Sequence, residues 1–302
     1  MSIDYVVPYV NMDDPNWQKL YRRIIHRTPD YQRFRDYGTL KYQFRGIEKF
    51  MPWIRNVYLV LQSESQIPKW LNTKQSKLKI IYHKDFIPKD FLPTFNSSVI
   101  EMWYHRIDGL ANNFLLSNDD MIPIKPLKEE DYFRDGKPVY PIRLKNKDVH
   151  FTGQSTWDHI LFNSRRISSR LAGKKTVHSF TQQHLILPHS VKIWKEVWKN
   201  SVGKLLLTRS MTQSPVRKKY NANNWLFEFY AAMTNQAILD PGSAIRGSVG
   251  IDSEEAIERL KQIVVNAKVI CINDCGYNSG NLEQEVKQIL DGILPDKSLF
   301  EI

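Results

Sequence analysis

The chain has only two cysteines, Cys271 and Cys275, in 302 residues. Two cysteines cannot staple a small secreted scaffold, which points to a reducing compartment. No stretch approaches the roughly 18 consecutive apolar residues of a spanning helix. The opening, MSIDYVVPYVNMDDP, has no basic segment, and Asp4 and Pro8 interrupt its apolar run, so it does not read as a signal peptide. A soluble, cytoplasmic protein is therefore expected. GxGxxG, GxxxxGK[ST] and GxSxG are all missing, which removes the glycine-rich phosphate loops and the hydrolase elbow. Repeats, low-complexity tracts and an RNA-binding signature run are also missing.

What is present is apolar residue and positive charge. Hydrophobic residues make up 42% of the chain and charged residues 25%, an ordinary globular balance that rules out wholesale disorder. Lys+Arg 43 against Asp+Glu 32 leaves a net charge of +11. Such a balance attracts polyanions: nucleic acid, an anionic membrane surface or phosphorylated small molecules. The clusters Arg22–Arg23, Arg165–Arg166, Lys174–Lys175 and Arg217–Lys219 are small and dispersed, and none forms a basic tail.

Hydrophobic periodicity gives a strand–helix rhythm. Ile3–Val10, Val57–Leu61, Leu78–Tyr82 and Phe114–Leu116 read as buried strands, and 39–50 places Leu40, Phe44, Ile47 and Phe50 at helical spacing. Ser97–His105 reads as a helix that Asn96 or Ser97 caps. Further helices are expected over 155–172, 190–200, 221–236, 253–267 and 281–291, with one more strand over 268–272. The alternation predicts a mostly parallel α/β sheet flanked by helices. One domain over 1–302 is expected, with a core near 1–135 and 240–302 and a more helical insertion near 150–240.

Asn118-Asp119-Asp120 directly follows an apolar strand. In open α/β sheets ligands lie beyond the carboxyl ends of strands. Two adjacent carboxylates there suit Mg²⁺ or Mn²⁺, and the same residues also make an ordinary solvated turn. Asp274 repeats the pattern after 268–272, and two such ends in one sheet would share a site. Asp4, inside the first apolar run, is either a satisfied structural carboxylate or part of the site. His178, His184 and His189 are spaced by six and five residues, which fits no familiar zinc pattern. Cys271 reads as core.

Four blocks of sequence resemble the Stealth family of sugar-phosphate transferases: IDYVVPYVNMDDPNW (3–17); a long second block that includes LKYQFRGIEKFMPWIRNVYLV, LPTFNSSVIEMWYHRIDGL and FLLSNDDMIPIKPLKEEDYF; the region of His184–His189 with Arg217 to Tyr230; and CINDC (271–275). Thr39, Lys41, Tyr9, Met12 and Asn221 depart from residues common in the family. The resemblance implies a Rossmann-like, glycosyltransferase-A-like core. The implied reaction moves a hexose-1-phosphate from a nucleotide-sugar, a UDP-sugar first, to a hydroxyl of a polysaccharide or lipid-linked oligosaccharide. It also implies a divalent cation on Asp119 and Asp120, with catalytic roles for His189 as base, Arg217, Asp274 and Asp4. Asn11, Arg45, Asn96, Glu101, His105, Arg106, Asn118 and Asn221 are the implied substrate contacts. Peripheral association with the inner leaflet is expected, and nucleic acid is not an expected partner. A metal-dependent glycosyltransferase releasing a nucleoside diphosphate, and a basic nucleic-acid-binding module, are the alternatives.

Overall fold

The computed structural model describes residues 1–144, 153–175, 180–182, 184–211, 214–241, 246–276 and 281–302. Twelve strands occur among these residues. They are β1 (Ile3–Pro8), β2 (Val57–Leu61), β3 (Leu78–Tyr82), β4 (Asn113–Leu116), β5 (Met121–Pro123) and β6 (Phe133–Arg134), followed by β7 (Lys137–Leu144), β8 (Phe180–Gln182), β9 (Leu187–Ser190), β10 (Ile238–Asp240), β11 (Arg246–Ile251) and β12 (Val269–Asp274).

The main sheet has the order β3-β2-β1-β4-β9. Its first four strands are parallel, and β9 closes the edge antiparallel to β4. Side chains alternate between two cores, as the period of two demands. Val6, Tyr58, Val60, Phe114 and Leu116 face one cluster, while Tyr5, Val7, Leu59 and Leu115 face the other. The first cluster is completed by helices Val191–Lys199, Ser201–Met211 and Trp225–Met233, the second by helix Thr39–Phe50. The expected mixed α/β architecture, a largely parallel sheet flanked by helices, is what forms. The helical stretch near 150–240 shares the first core and supplies β9 to the sheet.

The sheet direction reverses at β1: the chain steps outward to β2 and β3, then returns to the opposite side of β1 as β4. The crevice beyond the carboxyl ends of β1 and β4 is therefore a topological switch point, where open α/β sheets bind ligands. Asn118-Asp119-Asp120 lies there.

A second small sheet, β11-β12-β5, abuts the first. Asp274 thus ends a strand of a different sheet from β4, which corrects the single-sheet expectation. The two acidic ends still meet, because β5 directly follows Asp120 and runs antiparallel to β12; Ile272 N donates to Asp120 O at 3.0 Å. Gly46 allows helix Thr39–Phe50 to close on β5, since a Cβ there would stand 2.2 Å from Pro123 O.

Several element readings need correction. Pro15–Ile25 is a helix that the periodicity did not assign, with Asp14 accepting from Asn16 N and Pro15 opening the first turn. Ser97–His105 is one α-turn, Ser97–Ile100, followed by a 3₁₀ segment, Glu101–Arg106. The region of 190–200 begins as strand β9 before helix Val191–Lys199. Among the described residues no helix is long and apolar enough to cross a membrane.

Candidate active site

The switch-point crevice has two lobes. The larger, about 440 Å³, is bordered by the end of β1, the turn after β4 and the end of β12, with Tyr9, Trp17, Tyr37 and Phe95 as aromatic wall. The smaller, about 380 Å³, lies toward helices Thr156–Ala172 and Trp225–Met233. Ser97, Glu101, Asn118, His184, Arg217 and Asn273 line both lobes.

Asp119 and Asp120 line the larger lobe only. Burial, then the charges of Asp120 and Asp36, push the Asp119 carboxyl well above its ordinary range. Burial also raises Asp120, against the pull of His184 and a hydrogen bond from Cys271. The Asp120 Oδ1 atom is buried without a hydrogen-bond partner. Close carboxylates held in a partly dehydrated wall, with one oxygen unmatched, are suited to a hard divalent cation. Among the described residues no three His, Cys, Asp or Glu side chains gather into a metal-holding group. That is compatible with Mg²⁺, which commonly takes one or two carboxylates and fills its shell with water and substrate phosphate oxygens.

The turn is fastened from helix Thr39–Phe50. Gln43 Nε2 lies 2.7 Å from Asn118 O and 2.6 Å from Met121 O, and so brackets the two aspartates. His184 stands at the junction of the lobes. Its Nε2 is 3.0 Å from Asn118 Nδ2, and its Nδ1 is 3.4 Å from Cys271 Sγ. Cys271 is fully buried as expected of core, yet its sulfur also reaches Asp120 Oδ2 at 3.5 Å. Arg217 is anchored by Nη2 donating to Ser97 Oγ at 2.5 Å. Glu101 is pushed up to about 7 by burial, with Arg217 opposing the shift.

Asp274 faces the larger lobe but is already paired: Arg35 donates to both its oxygens at 2.7 Å, and Gly276 N donates to Oδ1.

Other expected site residues lie elsewhere. Asp4 is fully buried at the entry of the central strand β1, at the opposite end of the strands from the crevice, where Arg55 grips both oxygens and Asn56 N and Ala111 N donate to them. It is the satisfied structural carboxylate. His189, in β9, packs its ring on Phe114 and edge-on to Trp194, and lines neither lobe. Burial holds its imidazole down near 3, so it stays neutral. It thus lies away from the crevice, whereas His184 borders both lobes. Arg45 makes a bidentate pair with Glu301 at 2.8 and 2.9 Å and donates to Leu294 O, which ties the chain terminus down. His105 stacks on Trp198, and Arg106 covers Trp103, away from both lobes.

Asn96 and Asn221 are buried partners, with Asn96 Nδ2 donating to Asn221 Oδ1 at 2.9 Å; both also bind Ser214. They shape the loop that presents Arg217. Asn11 sits just past β1, where its backbone exchanges hydrogen bonds with the Gln66 amide. His178 lies outside the described residues. Periodicity alone overlooked Gln43, Arg35, Asp36 and the tryptophans Trp157 and Trp225 of the smaller lobe.

Known proteins share this sequence along its length. The family model Stealth protein CR2, conserved region 2, matches residues 33–139, which carry Gln43, Glu101 and the Asn118–Asp120 turn. The receptor polysaccharide phosphotransferase WefC of Streptococcus oralis is 32% identical over 100% of this chain and 99% of its own. The capsular polysaccharide phosphotransferase WcwK of Streptococcus pneumoniae is 29% identical over 99% of each. CpsJ of Streptococcus thermophilus, also a capsular polysaccharide phosphotransferase, is 46% identical over 45% of this chain and 59% of its own. With WefC of Streptococcus oralis 32% identical along the whole of it, the chain belongs to the Stealth family.

Proposed function

We propose that this phosphotransferase moves a hexose-1-phosphate from a UDP-sugar to a hydroxyl of a growing capsular or exopolysaccharide repeat, releasing UMP. The observation that carries the reading is the arrangement of the crevice: His184 and Arg217 border both lobes, while Asp119 and Asp120 border only one. Donor and acceptor then meet at the junction.

On this reading the nucleotide lies in the larger lobe, beyond β1, in a sheet of the Rossmann-like, glycosyltransferase-A-like kind; the reversal of strand order at β1 supports it. Asp119 and Asp120 would hold a Mg²⁺ or Mn²⁺ ion, which supplies charge neutralisation for the diphosphate. Arg217 presents its fork to the phosphoryl oxygens. His184 takes the proton of the attacking hydroxyl, and Asn118 orients its ring. The hydroxyl oxygen bonds to the sugar-bearing phosphorus, the bond to the UMP oxygen breaks, and UMP leaves with that electron pair. Phosphoryl transfer of this kind depends mainly on positioning and charge.

A cytoplasmic protein resting at the inner leaflet, with a lipid-linked glycan as acceptor, accords with the net charge of +11. Incubation with UDP-N-acetylglucosamine, UDP-glucose or UDP-galactose, Mg²⁺ and membranes of a capsule-forming bacterium tests the reaction. UMP as the released nucleotide is the expected result; UDP would assign glycosyl transfer instead.

A further inference from the structure

The smaller lobe has a chemistry of its own. Ten of its lining residues are not shared with the larger lobe: Trp157, Trp225, Asn223, Asn224, Ser98 and five more from the sheet side. None of these ten carries a charge. Among the described residues, the only Asp, Glu, Lys or Arg side chains that line the lobe, Glu101 and Arg217, belong to the junction. A nucleotide or a phosphate would call for cations there, and an apolar chain would leave the amides unmatched.

Trp157 is 37% exposed, a large ring turned partly to solvent in a cleft. It is steadied edge-to-face by Trp225, with centroids 5.2 Å apart and planes at 82°. Trp225 in turn is part of the first core. Ser164 Oγ donates to Asn223 Oδ1 at 2.9 Å, so the amide nitrogen is the group Asn223 has to offer a ligand. A flat ring for C–H faces, with amides and a hydroxyl alongside, suits an uncharged polyhydroxylated ring. The volume of about 380 Å³ lies in the small-ligand range of about 300–1,000 Å³.

We infer that the smaller lobe is a binding subsite for a neutral saccharide, with Trp157 as its platform and Asn223 and Asn224 as its hydrogen-bonding rim. The inference rests on the phosphotransfer reading for its meaning: the saccharide is the acceptor, and its hydroxyl reaches His184 across the junction.

Saturation-transfer NMR on the full chain tests it, with lactose, N-acetyllactosamine, maltotriose and cellobiose as neutral probes. UDP with Mg²⁺ serves as the probe of the larger lobe. At least one saccharide should give signal with the wild-type protein. Trp157→Ala should weaken that saccharide roughly tenfold or more, Trp157→Phe should recover most of the affinity, and Asn224→Ala should weaken it several-fold. UDP binding by Trp157→Ala should stay at the wild-type value. Silence from all four sugars, equal binding by Trp157→Ala, or parallel loss of sugar and UDP would each overturn the subsite. A wild-type protein that binds sugar but not UDP would instead count against the donor reading and leave the subsite standing.

Discussion

Arg35 and Asp274, 239 positions apart in sequence, form a bidentate ion pair with both N–H···O distances at 2.7 Å and little solvent around either side chain. The pair joins the segment before helix Thr39–Phe50 to the end of β12 and closes one wall of the larger lobe. It also commits the Asp274 carboxylate to a cation that the protein itself provides.

Arg35→Ala should lower the melting temperature by several degrees, because it leaves a shielded carboxylate without its partner, at a cost of about 1–3 kcal/mol. The same variant should weaken UDP binding, since the wall loosens. Calorimetric unfolding and titration with UDP check both. An unchanged melting temperature would show that the pair is not a tether.

Asp119→Asn and Asp120→Asn should separate activity from stability. Each removes charge from a partly dehydrated wall where burial already disfavours it. Turnover should fall at least 100-fold, while the melting temperature of the metal-free protein holds or rises. EDTA should silence the wild type, and Mg²⁺ or Mn²⁺ should restore it. Activity resistant to EDTA would remove the cation from the mechanism.

The two histidines of the third block should behave oppositely. His184→Ala should cut turnover by roughly 10²–10⁴-fold with little change in stability, as for a general base at a cleft surface. His189→Phe should keep turnover per folded molecule. Its imidazole is held near 3 in the folded chain and returns to about 6.5 on unfolding. The unfolded chain therefore binds a proton that the folded chain refuses, and the stability from neutral His189 is present above pH 6.5 and lost as pH falls toward 3. His189→Phe should flatten part of that acid limb in a series of thermal melts. Equal acid limbs in the two proteins would contradict the enclosed, neutral ring.

Sequence showed much of this fold because apolar runs report burial directly. Val57–Leu61 and Leu78–Tyr82 emerge with the boundaries their periodicity gives. The aspartates after β4 were legible for the same reason, since polar residues that follow a buried run mark a strand end. What was illegible depends on partners remote in the chain. Nothing local to Asp4 announces Arg55, and nothing near His189 announces the ring of Phe114 stacked on it. In β9, Leu187–Ser190 is too short for alternation to show, so the expected helix 190–200 takes in its last residue, Ser190. Trp157 reads as an ordinary aromatic until helix Trp225–Met233 is folded beside it.

Glu101 and Arg217 share the junction. Burial raises the Glu101 carboxyl to about 7, and the nearby guanidinium of Arg217 limits the rise. Below pH 7 the carboxyl is protonated, and the positive charge of Arg217 is free to meet a diphosphate. Above pH 7 the carboxylate forms and offsets that charge, so an anionic ligand meets less attraction. UDP affinity in the presence of Mg²⁺ should therefore fall as pH rises from 6 to 8. Glu101→Gln keeps the shape of the side chain but cannot ionise, so its affinity should stay near the wild-type low-pH value across that range. Arg217→Lys should bind UDP more weakly at every pH, because an ammonium cannot match two phosphate oxygens in one plane. Titration calorimetry at pH 6, 7 and 8 on the three proteins reads all of this. A Glu101→Gln variant with the wild-type pH slope would mean that another group sets the charge at the junction.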